Sequence, residues 1–432
     1  MISRLEVKGF KSLSDVSIDL GSVNVFVGAN GSGKSNILEA VGVLSAIVSG
    51  GPEAESFRYR GVRLGSPASY LSSFEKQSHQ LLSITACSSR TCYKVDMAPK
   101  EHFSTNWLIS REEIDFDGHR VFYRTDEGPV FEISGEEHWA VKPYNYESRS
   151  IAPYASFIYD IKRTTGDTKR FDADGTTPPK PSEDAIVKIT SNQVIYFLEQ
   201  LAQFAIYSPS TPQLRGFLDD IHREPLGLGG SGLGRAIDAM TRDSPESLGP
   251  FDLSDIYDLI DWADGIDTNA TTSSSSESSY ADSPVRLRIR DRYMGTAHKS
   301  VSTLEASEGA LYVLFLLALV GHKQSPKIFS VDNFDQALHP RLACALTRLV
   351  SDQIVEDGSR QMLATTHNPL VLDGLNLLDD RIRLFAVDRD SQGATQVKRV
   401  LLSEELMSQA ENGLSLSRLW VMGRLGGVPK SL

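Results

Sequence analysis

Apolar and polar positions alternate with period two from Ile2 to Leu13. Val16-Ser-Ile-Asp-Leu repeats the pattern, and Val23, Val25 and Val27 alternate once more. Three short strands are expected, the first two antiparallel at a sheet edge and the third half-buried. At Asn36-Ile-Leu-Glu-Ala-Val the period becomes helical, and the helix is expected to run to about Val48, where Ser49-Gly-Gly-Pro breaks it. Strand-like patterns return between about Leu81 and Tyr144, in Gln80–Ala86, Asn106–Ser110, Val121–Arg124 and Val130–Ile133, with turns at Asp117-Gly and Asp126-Glu-Gly. They continue the first sheet.

Helical spacing then governs Ile186–Phe204, Thr211–Ile221, Leu233–Met240 and Ile256–Trp262, read as a small helical lobe. Further on, Val285–Asp291 alternates as a strand and Ala310–Val320 is apolar throughout, as in a buried helix. Ile328–Val331 and Gln361–Thr366 read as buried strands, Arg383–Asp390 and Ala394–Val400 complete a sheet, and a helix packs at Leu414–Trp420. Thr164–Glu183, rich in Thr, Asp, Gly, Pro and Lys, reads as an exposed loop, and the Ser-rich tract Asp267–Ser283 as flexible. No heptads are sustained, so long coiled-coil arms are excluded. The expected divisions are 1–180, 181–265 for the helical lobe, 266–284 for the linker, and 285–432.

A chain of 432 residues, 40% of them hydrophobic, can bury one large core or two to three ordinary ones. The longest apolar run is too short to span a bilayer and the N-terminus lacks an apolar signal region, so no membrane partner and a cytoplasmic location are expected. Three cysteines do not make a disulfide framework, and Cys87 and Cys92 are expected as reduced thiols. A net charge of -12 gives no global basic footprint for nucleic acid. The arginines alternating from Arg286 to Arg292 are either a phosphate-binding row or one solvated strand face. Arg58, Arg60 and Arg63, near the helix after Asn36, are either contacts for nucleotide or a partner or, the preferred reading, part of a solvated surface loop.

The strand Val23–Val27 leads into Gly28-Ala-Asn-Gly-Ser-Gly-Lys-Ser-Asn36 and then into a helix. This is the full G-x-x-x-x-G-K-[ST] phosphate loop in its required context. Gly28, Gly31 and Gly33, with Asn30 and Ser32, turn the backbone so that its N–H groups face the phosphates. Lys34 reaches the β- and γ-phosphates, Ser35 binds Mg²⁺, and Asn36 opens the helix. The Gly-rich stretch Gly227–Gly234 lacks a following Lys-Ser/Thr and is not a second such loop.

Gly9-Phe-Lys-Ser-Leu together with Gly28–Asn36 resembles the ATPase heads of the RecF, SMC and OLD (overcoming lysogenization defect) group within the ABC-type superfamily. The resemblance covers about 1–48 and 285–432 and implies an α/β P-loop NTPase, an ABC-type head with a strand-rich first lobe and a helical insert. It implies that Ala306-Ser-Glu-Gly309 is a reduced signature, in which Ser307 and Gly309 bind the γ-phosphate of ATP held by another subunit. Asp332 becomes the Walker B acid holding Mg²⁺ through water, and His367 the switch histidine. His339, before Pro340, is read as a structural turn residue. A Gln-loop residue is expected near 50–80, with Gln77 and Gln80 as candidates.

Asn333 stands where the family has a glutamate that polarises the attacking water. An amide orients water but does not accept its proton. Three readings follow: slow, switch-like turnover with long-lived ATP-bound dimers, which is preferred; Asp335 substituting as base, unless its place in the D-loop serves the dimer instead; or a substitution that traps the complex.

The resemblance further implies a homodimer sandwiching ATP and Mg²⁺, acting as a nucleotide-gated sensor or scaffold. A separately encoded nuclease or toxin effector would be its partner in bacterial anti-phage defence. OLD-type nucleases carry a TOPRIM domain after the histidine, and the sequence to Leu432 leaves no length for one. The alternative is a RecF-like repair ATPase that binds DNA as an ATP-bound dimer. A transporter subunit is disfavoured by the long insert and Glu308, and a nuclease in its own right by the absence of an acidic cluster outside the ATP site.

Overall fold

The computed structural model describes residues 1–432 except 75–76, 101–105, 127, 134–135, 140–149, 151, 153–191, 219, 244–245, 271–284, 296–298, 403–413 and 428–432. In chain order the first part holds β1 (Arg4–Phe10), β2 (Leu13–Asp19), β3 (Val23–Val27), α1 (Lys34–Val48) and α2 (Ala54–Arg58). Next come β4 (Ser73–Phe74), β5 (Gln77–Ser78), β6 (Leu82–Cys87), β7 (Thr91–Pro99), β8 (Trp107–Phe116), β9 (His119–Arg124), β10 (Pro129–Ile133) and β11 (Glu136–Trp139). The middle holds α3 (Asn192–Ala202), β12 (Ile206–Tyr207), α4 (Thr211–Leu214), α5 (Leu233–Asp243), β13 (Ser247–Leu248), β14 (Phe251–Asp252) and α6 (Leu253–Leu259). The last part holds β15 (Ala263–Ala270), β16 (Val285–Asp291), β17 (Ser300–Ser302), α7 (Glu308–Gly321), β18 (Ile328–Val331), α8 (Pro340–Asp357), β19 (Gln361–Thr366), α9 (Pro369–Leu372), β20 (Ile382–Arg389), β21 (Thr395–Val400) and α10 (Leu416–Val421).

Two sheets organise these elements. The expected strand-rich lobe is an eight-stranded sheet in the order β11-β10-β9-β8-β7-β6-β1-β2, with the β1–β2 hairpin at its edge. A six-stranded sheet runs β12-β18-β19-β3-β20-β21, parallel except for β21, so the strand before the phosphate loop lies centrally beside β19 and β20. Burial on both faces is what a parallel sheet covered by helices demands. All five residues of β3 are buried, which corrects the half-buried expectation. Val23, Val25 and Val27 join one core cluster and Phe26 the other. Asn24 remains tolerable there because its amide bonds Gly21 twice and the Met362 carbonyl at 3.2 Å.

Helix α1 is buried along nearly its whole length, in one core with β1, β2, β6 and β7. On the other face of the six-stranded sheet, α7 buries Ala310–Val320 against Phe329, Val331, Met362 and α8. The described part of 181–265 supplies the edge strand β12, paired with β18, and sends Leu233, Ile237 and Met240 of α5 into the core that α7 occupies. Helix α4 is shorter than the expected Thr211–Ile221, since Gly216 takes φ 78 and ends it.

Cys87 and Cys92 form a disulfide with a Cα–Cα separation of 4.0 Å, against the reduced thiols expected. The β6–β7 register sets the two residues directly opposite each other, which spacing along the chain does not reveal. Cys344 is free. Thr164–Glu183 lies outside the described residues, as does most of the Ser-rich tract, whose first residues end β15. No helix among the described residues is long and apolar enough to cross a membrane.

Candidate functional site

The phosphate loop emerges from β3 and closes on α1. Gly28 is required by space, because a Cβ there would lie 2.2 Å from the Val387 carbonyl and 2.9 Å from Ser32 Oγ. Gly33 takes φ 110 at the N-cap of α1, and its missing side chain leaves room for Thr395 and Ser12. No side chain caps this helix, so its first N–H groups and positive end face the loop. Asn30 and Gly31 form the exposed crown, where Arg389 Nε donates to the Gly31 carbonyl at 2.9 Å. Asn36 Nδ2 donates to Ser12 Oγ at 2.7 Å, and Thr395 Oγ1 donates to the Ser32 carbonyl at 2.8 Å while sharing a hydroxyl–hydroxyl bond of 2.7 Å with Ser12 Oγ. The loop is thereby tied to the β1–β2 turn and to β21.

Lys34 is 5% exposed, and its ammonium donates to the carbonyls of Gly28 at 2.8 Å and Ala29 at 3.0 Å. Burial brings it down from 10.5 to about 8, opposed by the charges of Asp332 and Asp335. Ser35 Oγ donates to Asp332 Oδ1 at 3.1 Å, and the same oxygen accepts from Thr365 Oγ1 at 2.5 Å. Asp335 Oδ1 accepts from Thr366 Oγ1 at 2.7 Å and the His367 N–H at 3.3 Å. Burial, then the charge of Lys34, hold the His367 imidazole below its ordinary range against the pull of Asp335 and Asp332. Its ring bonds the Gly28 backbone. The fold therefore gathers Gly28–Asn36, Asp332, Asp335 and His367 at the C-terminal ends of β3, β18 and β19.

Ser307 and Gly309 are placed differently. Ser307 caps α7, accepting from the Ala310 N–H at 3.2 Å, and is exposed. The residues that follow it in α7 face the loop after Asp332: a Cβ on Gly309 would meet the Ala337 carbonyl at 3.2 Å, and Tyr312 Oη donates to the Asn333 carbonyl at 3.3 Å. Asn333 is exposed, with φ 57. His339 caps α8, its Nδ1 accepting from the Arg341 N–H at 3.3 Å, in keeping with a structural role.

A cleft of about 720 Å³ adjoins Ser35 and Asp332 and is lined by Arg58, Arg63, Ser208 and Gln213. Ser208 and Gln213 follow the edge strand β12, so the glutamine beside the site comes from there. Gln80 is exposed, and β5, which holds Gln77, pairs only with β4 among the described strands. Arg60 is buried and bonds Ser45 Oγ at 2.6 Å and the Ala202 carbonyl at 3.0 Å, while Arg63 is held by Glu39 and Asn36. Three arginines in and just after β16 are engaged locally: Arg288 donates to the Ser300 carbonyl, Arg290 faces Asp264 and Asp267, and Arg292 donates to the Ala263 carbonyl.

Residues 1–49 match the family described as "AAA ATPase domain", and residues 249–373 the one described as "AAA domain, putative AbiEii toxin, Type IV TA system". A stretch of 58 residues is 41% identical to an OLD nuclease of Thermus scotoductus, covering 13% of this chain and 11% of that protein. Two segments of the chain thus match ATPase-domain families, one over the phosphate loop and the other over the segment that holds Ser307, Asp332 and His367. Solved structures similar to this chain include an Smc head bound to the C-winged helix domain of ScpA (12% identity, 94% of this chain, 99% of that one, TM-score 0.45). Others are an Smc head with an extended coiled coil, bound to the C-terminal domain of ScpA derived from Pyrococcus furiosus (13%, 95%, 98%, 0.44), and the SMC head domain from Thermotoga maritima (16%, 93%, 99%, 0.39).

The donor set around the phosphate loop suits a magnesium–triphosphate. Ser32 Oγ is buried inside the loop without a partner among the described residues, and the Gly28 and Gly33 cradle admits no Cβ. Hydroxyl and carboxylate oxygens of Ser35 and Asp332 are the hard ligands Mg²⁺ takes together with phosphate oxygens and water. Sequence reasoning assigned no role to Thr365, Ser12 or Thr395. The Thr365-Thr366 pair at a buried strand end, beside a candidate acid, is the signal that points to the first.

Proposed function

We propose that this chain is an ATP-binding, slowly hydrolysing head that works as a nucleotide-gated dimeric sensor or scaffold. It would control a separately encoded nuclease or toxin effector in bacterial anti-phage defence. ATP would be gripped by Gly28–Asn36, with Lys34 on its phosphates, Mg²⁺ on Ser35 and Asp332, and His367 at the γ-phosphate.

One observation supports the dimer: Ser307 is an exposed cap on a deeply buried helix, and its side chain's one hydrogen bond among the described residues is from the Ala310 N–H of that helix. An exposed helix start of this kind suits the phosphate of ATP held by a second copy. The toxin–antitoxin family matched by 249–373 and the OLD nuclease relative support the defence context. Light scattering with and without ATP and Mg²⁺ tests the reading. The expected result is a doubling of mass that needs both. A mass unchanged by nucleotide contradicts it.

A further inference from the structure

Asn333 sits in the left-handed region, where asparagine is among the few residues other than glycine to settle without strain. Its N–H donates to Thr365 Oγ1 at 2.9 Å, and its carbonyl accepts from the Gln336 N–H at 2.9 Å and the Tyr312 hydroxyl at 3.3 Å. The residue's bonds are thus those of a turn, and its side chain stands at the surface.

That turn buries Phe334, whose N–H donates to the Thr365 carbonyl at 2.8 Å, and brings Asp335 back against the end of β19. One carboxylate oxygen is fixed there by the Thr366 hydroxyl and the His367 N–H, while Oδ2 makes no bond among the described residues. Around it lie the groups that converge on Gly28: the Lys34 ammonium and the His367 ring, both within reach of the Asp335 charge. A half-buried carboxylate with one oxygen anchored and one free, at the mouth of the phosphate loop, is the arrangement a general base requires.

We propose that Asp335, rather than Asn333, is the catalytic carboxylate that activates water for ATP hydrolysis. The assignment rests on reading the chain as a hydrolysing ATPase. The water oxygen bonds to the γ-phosphorus as the bond to the β–γ bridging oxygen breaks, and ADP departs with that electron pair. The proton lost by water passes to Asp335 Oδ2 and from there to solvent. Asn333 shapes the turn that delivers Asp335.

Single-turnover hydrolysis of γ-labelled ATP by the full chain with Mg²⁺, beside equilibrium ATP binding to the same variants, tests this. Asp335→Asn is expected to slow hydrolysis about 100-fold or more, with ATP affinity held within about threefold. Asp335→Ser carries the same expectation should the amide variant not fold. Asp335→Glu, which keeps the carboxylate, is expected to hydrolyse faster than either. Asn333→Glu is expected to give no rescue, so that the double variant with Asp335→Asn stays as slow as Asp335→Asn alone. Hydrolysis by Asp335→Asn within about threefold of wild type, or restored in the double variant, overturns the assignment while leaving the ATPase reading intact. Wild-type protein that binds ATP but never hydrolyses it overturns both.

Discussion

Lys34 holds its charge at a cost set by burial, and the direction of that cost fixes its response to pH. Its ammonium titrates near 8 in the folded chain and at 10.5 when free, so between those values the folded protein binds fewer protons than the unfolded one. Any stability from this shift is present above 10.5 and lost as pH falls through about 8. A triphosphate beside Lys34 favours the charged form. ATP binding above about pH 8 is therefore expected to take up protons and to weaken as pH rises. Calorimetry near pH 8.5 in buffers of unlike ionisation enthalpy reads the uptake; heats independent of buffer contradict it. The phosphate loop between β3 and α1 was legible in the sequence because its strand, glycines and helix lie within one short stretch. The turn at Asn333 was not, since a left-handed φ is set by bonds to Thr365 and Tyr312, remote in sequence.

Helix α1 couples the loop to the rest of the fold through Glu39, whose side chain is 3% exposed and pairs with Lys11 of the β1–β2 turn and with Arg63 Nε. Removing the carboxylate leaves the Lys11 charge, 19% exposed, without its partner. Glu39→Ala is expected to cost about 3 kcal/mol of stability. Arg63 is 66% exposed, so Arg63→Ala is expected to cost about 1 kcal/mol or less. Urea midpoints of the two variants check the ranking, and equal losses contradict it. Long elements with strong patterns, such as α1, α7, β19 and β20, were evident from periodicity. Edge strand β12 was not: it spans only Ile206–Tyr207 and its partner β18 lies far along the chain. For the same reason Gln213, which lines the cleft beside Ser35, did not stand among the candidates Gln77 and Gln80. The facing of Cys87 and Cys92 depends on strand register in the same way.

At the scale of the whole molecule, the parts of the proposed ATP site divide between what one chain assembles and what it exposes. Gly28–Asn36 and Asp332 meet within a chain through β3, β18 and β19, while Ser307 faces outward. If two copies complete each other, a subunit carrying Lys34→Ala and one carrying Ser307→Arg should each be inactive alone. Mixed, they should regain hydrolysis, since one composite site in the pair keeps both an intact loop and an intact cap. A mixture as inactive as its components contradicts the sharing.

The central claim is that Lys34 and Asp332, remote in sequence, grip one magnesium-bound triphosphate. Titration calorimetry of ATP into the full chain with and without Mg²⁺, repeated on Lys34→Ala and Asp332→Asn, tests it most directly. The expected result is saturable binding by wild type, lost in Lys34→Ala and insensitive to Mg²⁺ in Asp332→Asn. Wild type without affinity for ATP, or Lys34→Ala binding as wild type does, would contradict it.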